Sequence, residues 1–187
     1  MEIEKEVRYL VDDSTWDRVL NHTTPYKPKE SMLDLTMGEY GFDSYKKTGL
    51  VFRIRQKGEK IALEIKKKIP DGWLEEAIKL ESVQNGVSFL TLAGLKPVLY
   101  IDRTREVKKY GNLKIFFDDV KLLGKFIEIE YQDSPNAILE LENFLKDMQI
   151  NGEPQDLYGA IITKRYQTEP EFKKAFDIEM DKILKAI

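Results

Sequence analysis

Polar and apolar residues alternate with a period of two along much of the first 132 residues, which predicts a protein built mainly of β-strands. In the first run, residues 1–11, Glu4, Glu6 and Arg8 fall on one face and the residues between them on the other. A half-buried strand usually packs its apolar face and exposes its polar face to water. The charged face therefore indicates a function only if the fold encloses it.

Seven further runs have the character of strands, and short connections join most of them. The clearest pair flanks Lys57-Gly58-Glu59, a turn that predicts a β-hairpin. Short turns of this kind favour an antiparallel sheet, because a parallel pair needs a long crossover. The predicted strands after the first cover residues 33–42, 50–56, 60–66, 73–83, 97–107, 113–120 and 126–131.

Helices are predicted between some strands and throughout the C-terminal part of the chain. Ser134 is predicted to cap a helix with Pro135 at its first position, and Thr168–Glu171 has the spacing of a capping box. Two prolines predict a loop over residues 22–31, and polar residues predict a turn over 43–49. The predicted helices cover residues 12–20, 86–93, a segment that begins at Ser134, 156–164 and 169–187.

Charged residues recur on one face of the predicted strands, opposite an apolar face. If the sheet curls up, helices cover the apolar outside and the charged faces line the interior. We therefore expect an α+β fold, an eight-stranded antiparallel β-barrel with helices packed outside and at one end. It would form a single domain over residues 1–187, with strands in 1–132 and C-terminal helices in 133–187. The charged faces comprise Glu4, Glu6, Arg8, Arg53, Arg55, Glu64, Lys66, Lys79, Glu81, Arg103, Arg105, Asp118, Glu128 and Glu130.

Two other interpretations of the charged faces stay open. They are the solvated faces of a flat sheet, which is the usual meaning of alternating charge in a single strand. Alternatively, the interior holds ion pairs that satisfy one another and bind no ligand. The recurrence of the pattern over many strands favours an enclosed face that binds a ligand.

Composition narrows the ligands that such an interior could bind. The 187 residues include 34% charged residues but have a formal net charge of only -3, which argues against a nucleic-acid partner. The chain has no cysteine and one histidine, His22, so a bound metal would need carboxylate ligands, which suit Mg²⁺, Mn²⁺ or Ca²⁺. We find no apolar run of bilayer-spanning length and no hydrophobic N-terminal segment, so we expect a cytoplasmic protein without a membrane partner.

Both signs of charge on one enclosed face suit a polyphosphate together with a divalent cation. Arginine binds phosphate oxygens through its planar fork, and lysine binds them as a point charge. Glutamate pairs could hold divalent ions that neutralise the phosphates and activate water or a hydroxyl. Phosphoryl transfer needs little more from a protein.

Several motifs, in this order, resemble the CYTH family, also called triphosphate tunnel metalloenzymes. The family includes class IV adenylyl cyclases, thiamine triphosphatases and inorganic triphosphatases. Glu4-Lys5-Glu6-Val7-Arg8 is similar to its E-x-E-x-K/R motif, and Phe52-Arg53-Ile54-Arg55 resembles its L-R-x-R strand. The other similar segments are Phe42-Asp43-Ser44, Lys66, Arg103-Thr104-Arg105, Phe117–Val120, Leu123–Glu130 and Tyr158.

The resemblance implies an eight-stranded tunnel that holds a triphosphate-containing small molecule and Mg²⁺ or Mn²⁺. The phosphate ligands that it implies are Arg8, Arg53, Arg55, Lys66, Lys79, Arg103 and Arg105. The metal ligands would be Glu4, Glu6, Asp118, Glu128 and Glu130. The catalytic residues would be Glu4, Glu6, Lys66 and Glu130.

Two positions depart from the family pattern. The fifth strand usually carries an R-x-E-x-E-like run, whereas this chain has Glu75, Ala77, Lys79 and Glu81. In thiamine triphosphatases a tyrosine two residues before the Asp of the aromatic-Asp-Thr motif pairs with the strand lysine, and Gly41 occupies that position here. The second departure argues against thiamine triphosphate as the substrate.

Three functions fit these residues. The first is metal-dependent hydrolysis of inorganic triphosphate or a nucleoside triphosphate. The second is adenylyl cyclase activity, which converts ATP to cyclic AMP and pyrophosphate, and the third is binding of a polyphosphate or phosphorylated metabolite without catalysis. The helix predicted over 169–187 could cap the barrel or pair with a second subunit in a homodimer.

Overall fold

The computed structural model describes residues 4–69 and 72–187, and for Glu4, Lys68, Gly72 and Trp73 it describes the backbone alone. Hydrogen bonding places the strands of this part in one sheet, in the order β1-β8-β7-β6-β2-β3-β4-β5. Every pairing with a described register is antiparallel. The strands are β1 (Glu4–Leu10), β2 (Thr24–Gly38), β3 (Leu50–Lys57), β4 (Lys60–Ile69), β5 (Gly72–Leu80), β6 (Lys96–Tyr110), β7 (Leu113–Val120) and β8 (Gly124–Gln132).

Side-chain caps begin three of the helices. Asp12, Ser82 and Ser134 each accept a hydrogen bond from a backbone N–H three residues later, which satisfies a donor that the helix itself leaves unpaired. The predicted cap at Ser134 is therefore confirmed. The helices are α1 (Asp13–Asn21), α2 (Ser44–Thr48), α3 (Val83–Leu92), α4 (Pro135–Asp147), α5 (Tyr158–Thr168) and α6 (Pro170–Ala186).

The chain divides into two compact units, and both β2 and β6 run through the division. The first unit comprises the chain up to Glu30 and Arg103–Ile161. Its apolar strand face packs against α1 and α4, because the alternate residues of β7 and β8 are aliphatic or aromatic. The core of this unit includes Tyr9, Val19, Leu113, Ile115, Phe117, Ile127, Ile129, Leu141 and Phe144.

The second unit comprises Ser31–Asp102 and Ile162–Ile187. Its buried apolar residues include Leu35, Met37, Ile54 and Leu63. Gly86 lets α3 approach this face closely, since a Cβ atom at that position would lie 2.7 Å from Leu80 Cδ1 and 3.0 Å from Ile54 Cδ1. In the same unit, the ring of Phe176 stacks on Tyr100 with 4.5 Å between centroids.

Several local predictions are wrong, and one is the end of the strand expected over 73–83, since β5 ends at Leu80 and Val83 begins α3. Residues 22–31 were expected to form a loop, but β2 already begins at Thr24, because the φ angle of proline is compatible with extended backbone. The polar turn predicted over 43–49 contains the short helix α2, which ends at Gly49 with a φ of 67°. Thr168 does not cap α6: the cap position is Glu169, and the Thr168 hydroxyl donates to Lys164 O.

The predicted α+β class and the eight-stranded antiparallel sheet are confirmed for the described residues. The strand order there begins at β1 and ends at β5, and closure into a barrel stays a prediction. The assignment of residues 1–187 to a single domain likewise stays a prediction.

Candidate active site

Strand register places the charged residues of the first unit on one face. Arg8 lies opposite Glu128 and Glu6 opposite Glu130 in the β1–β8 pair, and Arg105 lies opposite Asp118 in the β6–β7 pair. Because side chains alternate across a strand, this face is the reverse of the apolar core. We call it the first charged face, and it comprises Glu6, Arg8, Arg103, Arg105, Lys114, Asp118, Glu128 and Glu130.

Arg8 is buried on the first charged face and is held by two carboxylates. Its Nε and Nη2 donate to Glu128 Oε2 at 3.1 and 2.6 Å, and Nη2 also donates to Glu6 Oε1 at 2.9 Å. Burial alone would lower the pKa of Arg8, but the charge and hydrogen bonds of Glu128 outweigh it and raise the pKa. The guanidinium therefore stays charged although it is only 6% exposed.

Arg105 binds a second pair of carboxylates next to Arg8. Its Nε donates to Asp118 Oδ1 at 2.6 Å, and its Nη2 donates to Asp118 Oδ2 and, at 3.0 Å, to Glu128 Oε1. Glu128 thus joins Arg8 and Arg105 through different oxygens. Arg103, which is 6% exposed, lies with its Nε 3.9 Å from Asp118 Oδ2.

Tyr158, at the start of α5, belongs to the same cluster. Its hydroxyl donates to Asp118 Oδ2 at 2.7 Å, and its ring lies 4.9 Å from the Arg8 Cζ and 5.7 Å from the Arg103 Cζ. Burial, followed by the charges of Asp118 and Glu128, raises the pKa of Tyr158, so the hydroxyl stays a neutral donor. Tyr158 was absent from the predicted site residues, although its resemblance to a family tyrosine pointed to it.

The outer end of the first charged face is more accessible to water. Lys114 donates to Glu130, whose side chain is 24% exposed, and the Glu6 side chain is 50% exposed. Lys114 was absent from the predicted site residues, because the apolar Phe116 separates it from Asp118 on the same face of β7. Its place opposite Glu130 would have been the signal, but this requires the register.

The second unit carries a similar arrangement on β2, β3 and β4. Arg55 donates from Nε and Nη2 to Asp34 Oδ1 and Oδ2 at 2.6 and 2.8 Å, a bidentate pair. Arg53 donates to Glu64 from both Nε, at 2.8 Å, and Nη2. Asp34 is 1% exposed and was not predicted as a site residue; an isolated acid between Leu33 and Leu35 was the available signal.

The outer strands of the second unit carry the remaining predicted phosphate ligands, of which Lys66 is half-buried and Lys79 is exposed. Lys66 donates to Glu75, whose side chain is 51% exposed. Lys79 is exposed on β5, opposite Ala62. We call the set formed by Asp34, Arg53, Arg55, Glu64, Lys66 and Glu75 the second charged face.

The predicted metal ligands are mostly found on the first charged face. Their carboxylate oxygens are the donors that Mg²⁺ and Mn²⁺ prefer. Within residues 4–69 and 72–187, no three acidic side chains are gathered as ligands of one ion. Glu6, Asp118, Glu128 and Glu130 each accept a hydrogen bond from a basic side chain instead. Glu4 lies on β1 opposite Gln132, and its side chain lies outside the described part.

These contacts exclude one of the interpretations of the buried charges. Solvated faces do not describe Arg8, Arg103, Asp118 and Glu128, all of which are at most 6% exposed. Ion pairs that satisfy one another are present on both charged faces. Hydrogen bonds to described residues engage Nε and Nη2 of Arg8 and Arg105 and leave Nη1 of each.

The geometry thus defines an antiparallel sheet with arginine forks gathered on one strand face, and such forks suit the oxygens of carboxylates and phosphates. The family model of the CYTH domain matches residues 2–156, and the chain belongs to the CYTH domain family. The resemblance found in the sequence is therefore confirmed. A search of curated proteins finds no match.

Solved structures agree with this assignment at the level of the fold. The PH1819 protein from Pyrococcus horikoshii OT3 is 25% identical, with a TM-score of 0.64 over 87% of this chain and 100% of that chain. HpAC1 from Hippeastrum, a proposed adenylyl cyclase described as having a dominant triphosphatase activity, is 18% identical, with a TM-score of 0.63 over 91% of this chain and 98% of that chain. A proposed adenylate cyclase from Vibrio parahaemolyticus is 17% identical, with a TM-score of 0.60 over 87% and 98% of the two chains.

The described helices were also compared with the length and apolarity that a bilayer requires. None of those in residues 4–69 and 72–187 is long and apolar enough to span a membrane.

Proposed function

We propose that this CYTH protein hydrolyses inorganic triphosphate or a nucleoside triphosphate with the help of a divalent metal ion. The observation that carries the proposal is the cluster around Glu128, where Arg8 and Arg105 are held charged and in fork geometry. Preorganised guanidinium groups suit phosphate oxygens, because their positive charge and donor directions are fixed before the ligand arrives. A cytoplasmic location belongs to the same proposal.

Phosphate binding would use the donors that the internal ion pairs leave and then replace some of those pairs. On the first charged face, Arg8, Arg103 and Arg105 would bind phosphate oxygens. On the second, Arg53, Arg55 and Lys66 would do so, and Lys79 of β5 would be a further ligand. Each arginine that binds a phosphate oxygen would give up a hydrogen bond to its carboxylate partner. Phosphate binding and the release of these carboxylates would therefore be linked.

Glu4, Glu6, Asp118, Glu128 and Glu130 would hold the ion, and their oxygens fit Mg²⁺ or Mn²⁺. The bound ion would neutralise phosphate charge and activate a water molecule. Glu6 and Glu130 face each other across the β1–β8 pair at the accessible end of the first charged face. They can therefore turn away from Arg8 and Lys114 with a smaller loss than the buried acids.

Two further groups would act on the phosphates through charge and position. The ammonium of Lys66 would stabilise the charge that develops on the phosphoryl group as the anhydride bond breaks. Tyr158 would hold Asp118 in place as a neutral donor and thereby keep Arg105 oriented, which makes it a positioning residue.

Product analysis tests the reaction. The protein is incubated with inorganic triphosphate, ATP and thiamine triphosphate, each with Mg²⁺ or Mn²⁺, and orthophosphate, pyrophosphate and cyclic AMP are measured. We expect orthophosphate from inorganic triphosphate or ATP. Formation of cyclic AMP together with pyrophosphate would refute the hydrolase and support adenylyl cyclase activity. Tight binding without any product would support a binding protein without catalytic activity.

Adjacent lysines on β4 provide a matched pair of variants. Lys66 lies on the second charged face, whereas Lys67 is exposed on the opposite face of the same strand. We expect Lys66→Ala to lower kcat by about 100-fold, in line with the loss of one charge-stabilising donor. Lys67→Ala should leave turnover unchanged, and an equal loss in both variants would show a general effect of charge on the strand.

A further inference from the structure

An exposed tyrosine lies at the outer end of the first charged face, on the part of β2 that belongs to the first unit. The side chain of Tyr26 is 46% exposed, and the Lys109 Nζ lies 4.1 Å from the centroid of its ring. The Nζ of Lys27 lies 5.6 Å from the same centroid. Thr24 Oγ1 donates to Lys109 O at 3.3 Å, which ties this part of β2 to β6.

Lys109 connects the tyrosine with the phosphate ligands along β6. It follows Arg105 by four residues, so both side chains lie on the same face, about 13 Å apart along the strand. Across the sheet, Lys109 lies opposite Lys114, which lies opposite Glu130. The ring of Tyr26 therefore ends a row of charged groups that leads back to the proposed phosphate and metal ligands.

The arrangement adds little to the stability of the fold. A ring that is nearly half exposed buries only part of its apolar surface, and a contact between a half-buried lysine and such a ring contributes little. Lysine is also flexible, so Lys109 can leave the ring face and bind a phosphate oxygen instead. A planar π-surface next to mobile cations is the combination that binds the base and the phosphates of a nucleotide.

We propose that Tyr26 is the stacking platform for the base of a nucleoside triphosphate whose phosphates are bound on the first charged face, with Lys109 beside it. The inference rests on the proposed function and makes it narrower: the preferred substrate class would be nucleoside triphosphates rather than inorganic triphosphate. Stacking on a ring is tolerant of sequence, so the platform selects an aromatic base without distinguishing strongly between bases.

The test is equilibrium binding, which does not depend on turnover. The dissociation constants of ATP and of inorganic triphosphate are measured by calorimetry, without divalent metal to prevent hydrolysis, for the wild type, Tyr26→Ala and Tyr26→Phe. We expect Tyr26→Ala to weaken ATP binding by about tenfold or more and to leave inorganic triphosphate binding unchanged. Tyr26→Phe keeps the ring and should bind ATP as the wild type does.

Tyr45→Ala is the matched control, because Tyr45 is 39% exposed but lies on α2 in the second unit. It should change neither dissociation constant. Equal weakening of both ligands in Tyr26→Ala, no change in either, or a wild type that binds ATP no more tightly than inorganic triphosphate would overturn the inference. Selective loss of ATP binding in a protein that proves to hydrolyse nothing would support the platform and refute the hydrolase, so the two proposals fail separately.

Discussion

Arg103 and Arg105 on β6 and Arg53 and Arg55 on β3 are the same R-x-R motif in different surroundings. In the first unit, Arg105 shares Glu128 with Arg8, and Asp118 and Glu128 are at most 5% exposed. In the second unit, burial falls from Asp34, at 1%, to the accessible Lys66–Glu75 pair. The arginines themselves are similarly enclosed, since the Arg105 and Arg53 side chains are 19% and 16% exposed. The units differ in their carboxylates: the Glu128 side chain is 7% exposed, whereas those of Glu64 and Glu75 are 14% and 51% exposed.

The burial of a charged residue determines whether its substitution will change the stability of the fold, ligand binding, or both. Removing one member of a buried pair leaves its partner charged, desolvated and uncompensated, whereas an exposed pair loses little. Variants of the first charged face will therefore report on folding as well as on binding. Variants at the outer end of the second face will report mainly on binding.

The largest effect is expected for Glu128→Ala. The substitution leaves Arg8 and Arg105 without the carboxylate that joins them, and we expect it to lower the free energy of unfolding by about 3–5 kcal/mol. Urea denaturation measures the loss. Glu64→Ala, at the corresponding β3–β4 contact of the second unit, should lose clearly less, because the Arg53 and Glu64 side chains are 16% and 14% exposed. Equal losses of unfolding free energy in the two variants would contradict the expected difference between the two units.

Tyr158→Phe should have an intermediate effect. It removes the hydroxyl that donates to Asp118 but keeps the ring against Arg8, so we expect a loss of about 2 kcal/mol from a hydrogen bond to a charged acceptor. Chemical denaturation at neutral pH measures it. A variant as stable as the wild type would mean that Arg105 alone is enough to hold Asp118.

The same pair of proteins gives a pH dependence. An unfolded tyrosine loses its proton near about pH 10, whereas burial and then the charges of Asp118 and Glu128 raise the pKa of Tyr158 in the folded protein. Above that pH the folded state binds more protons than the unfolded state, so the contribution of Tyr158 to stability is complete below about pH 10 and declines as the pH rises. The difference in unfolding free energy between wild type and Tyr158→Phe should narrow from about pH 9 to pH 11. A constant difference would contradict the raised pKa.

The smallest effect on stability is expected for Lys66→Ala. Its partner Glu75 has a half-exposed side chain, and such pairs contribute about 0–1 kcal/mol. The midpoint of thermal unfolding should therefore stay within a few degrees of that of the wild type, while turnover falls. A large drop in the midpoint would place Lys66 among the structural residues.

The sequence predicted the strands and their charged faces well, because a period of two assigns each side chain to a face without knowledge of the partner strand. Asp34 and Lys114 escaped this reasoning, since each is an isolated charge whose role depends on the residue opposite. Tyr158 depends on the docking of a helix far away in sequence. Proline pointed to a loop where β2 runs, since a strand tolerates proline where its N–H is not needed.

The bridge that Glu128 makes between Arg8 and Arg105 also has a consequence for selectivity. The Glu128 carboxylate competes with any incoming anion for the two guanidinium groups. An anion can displace it only if its interaction with Arg8 and Arg105 is stronger than that of Glu128. A single weak negative charge, such as chloride or acetate, gains nothing by the exchange. A chain of phosphates carries several charges and would engage both guanidinium groups. If the first charged face binds the proposed substrate, the bridge would therefore favour polyphosphates over singly charged anions.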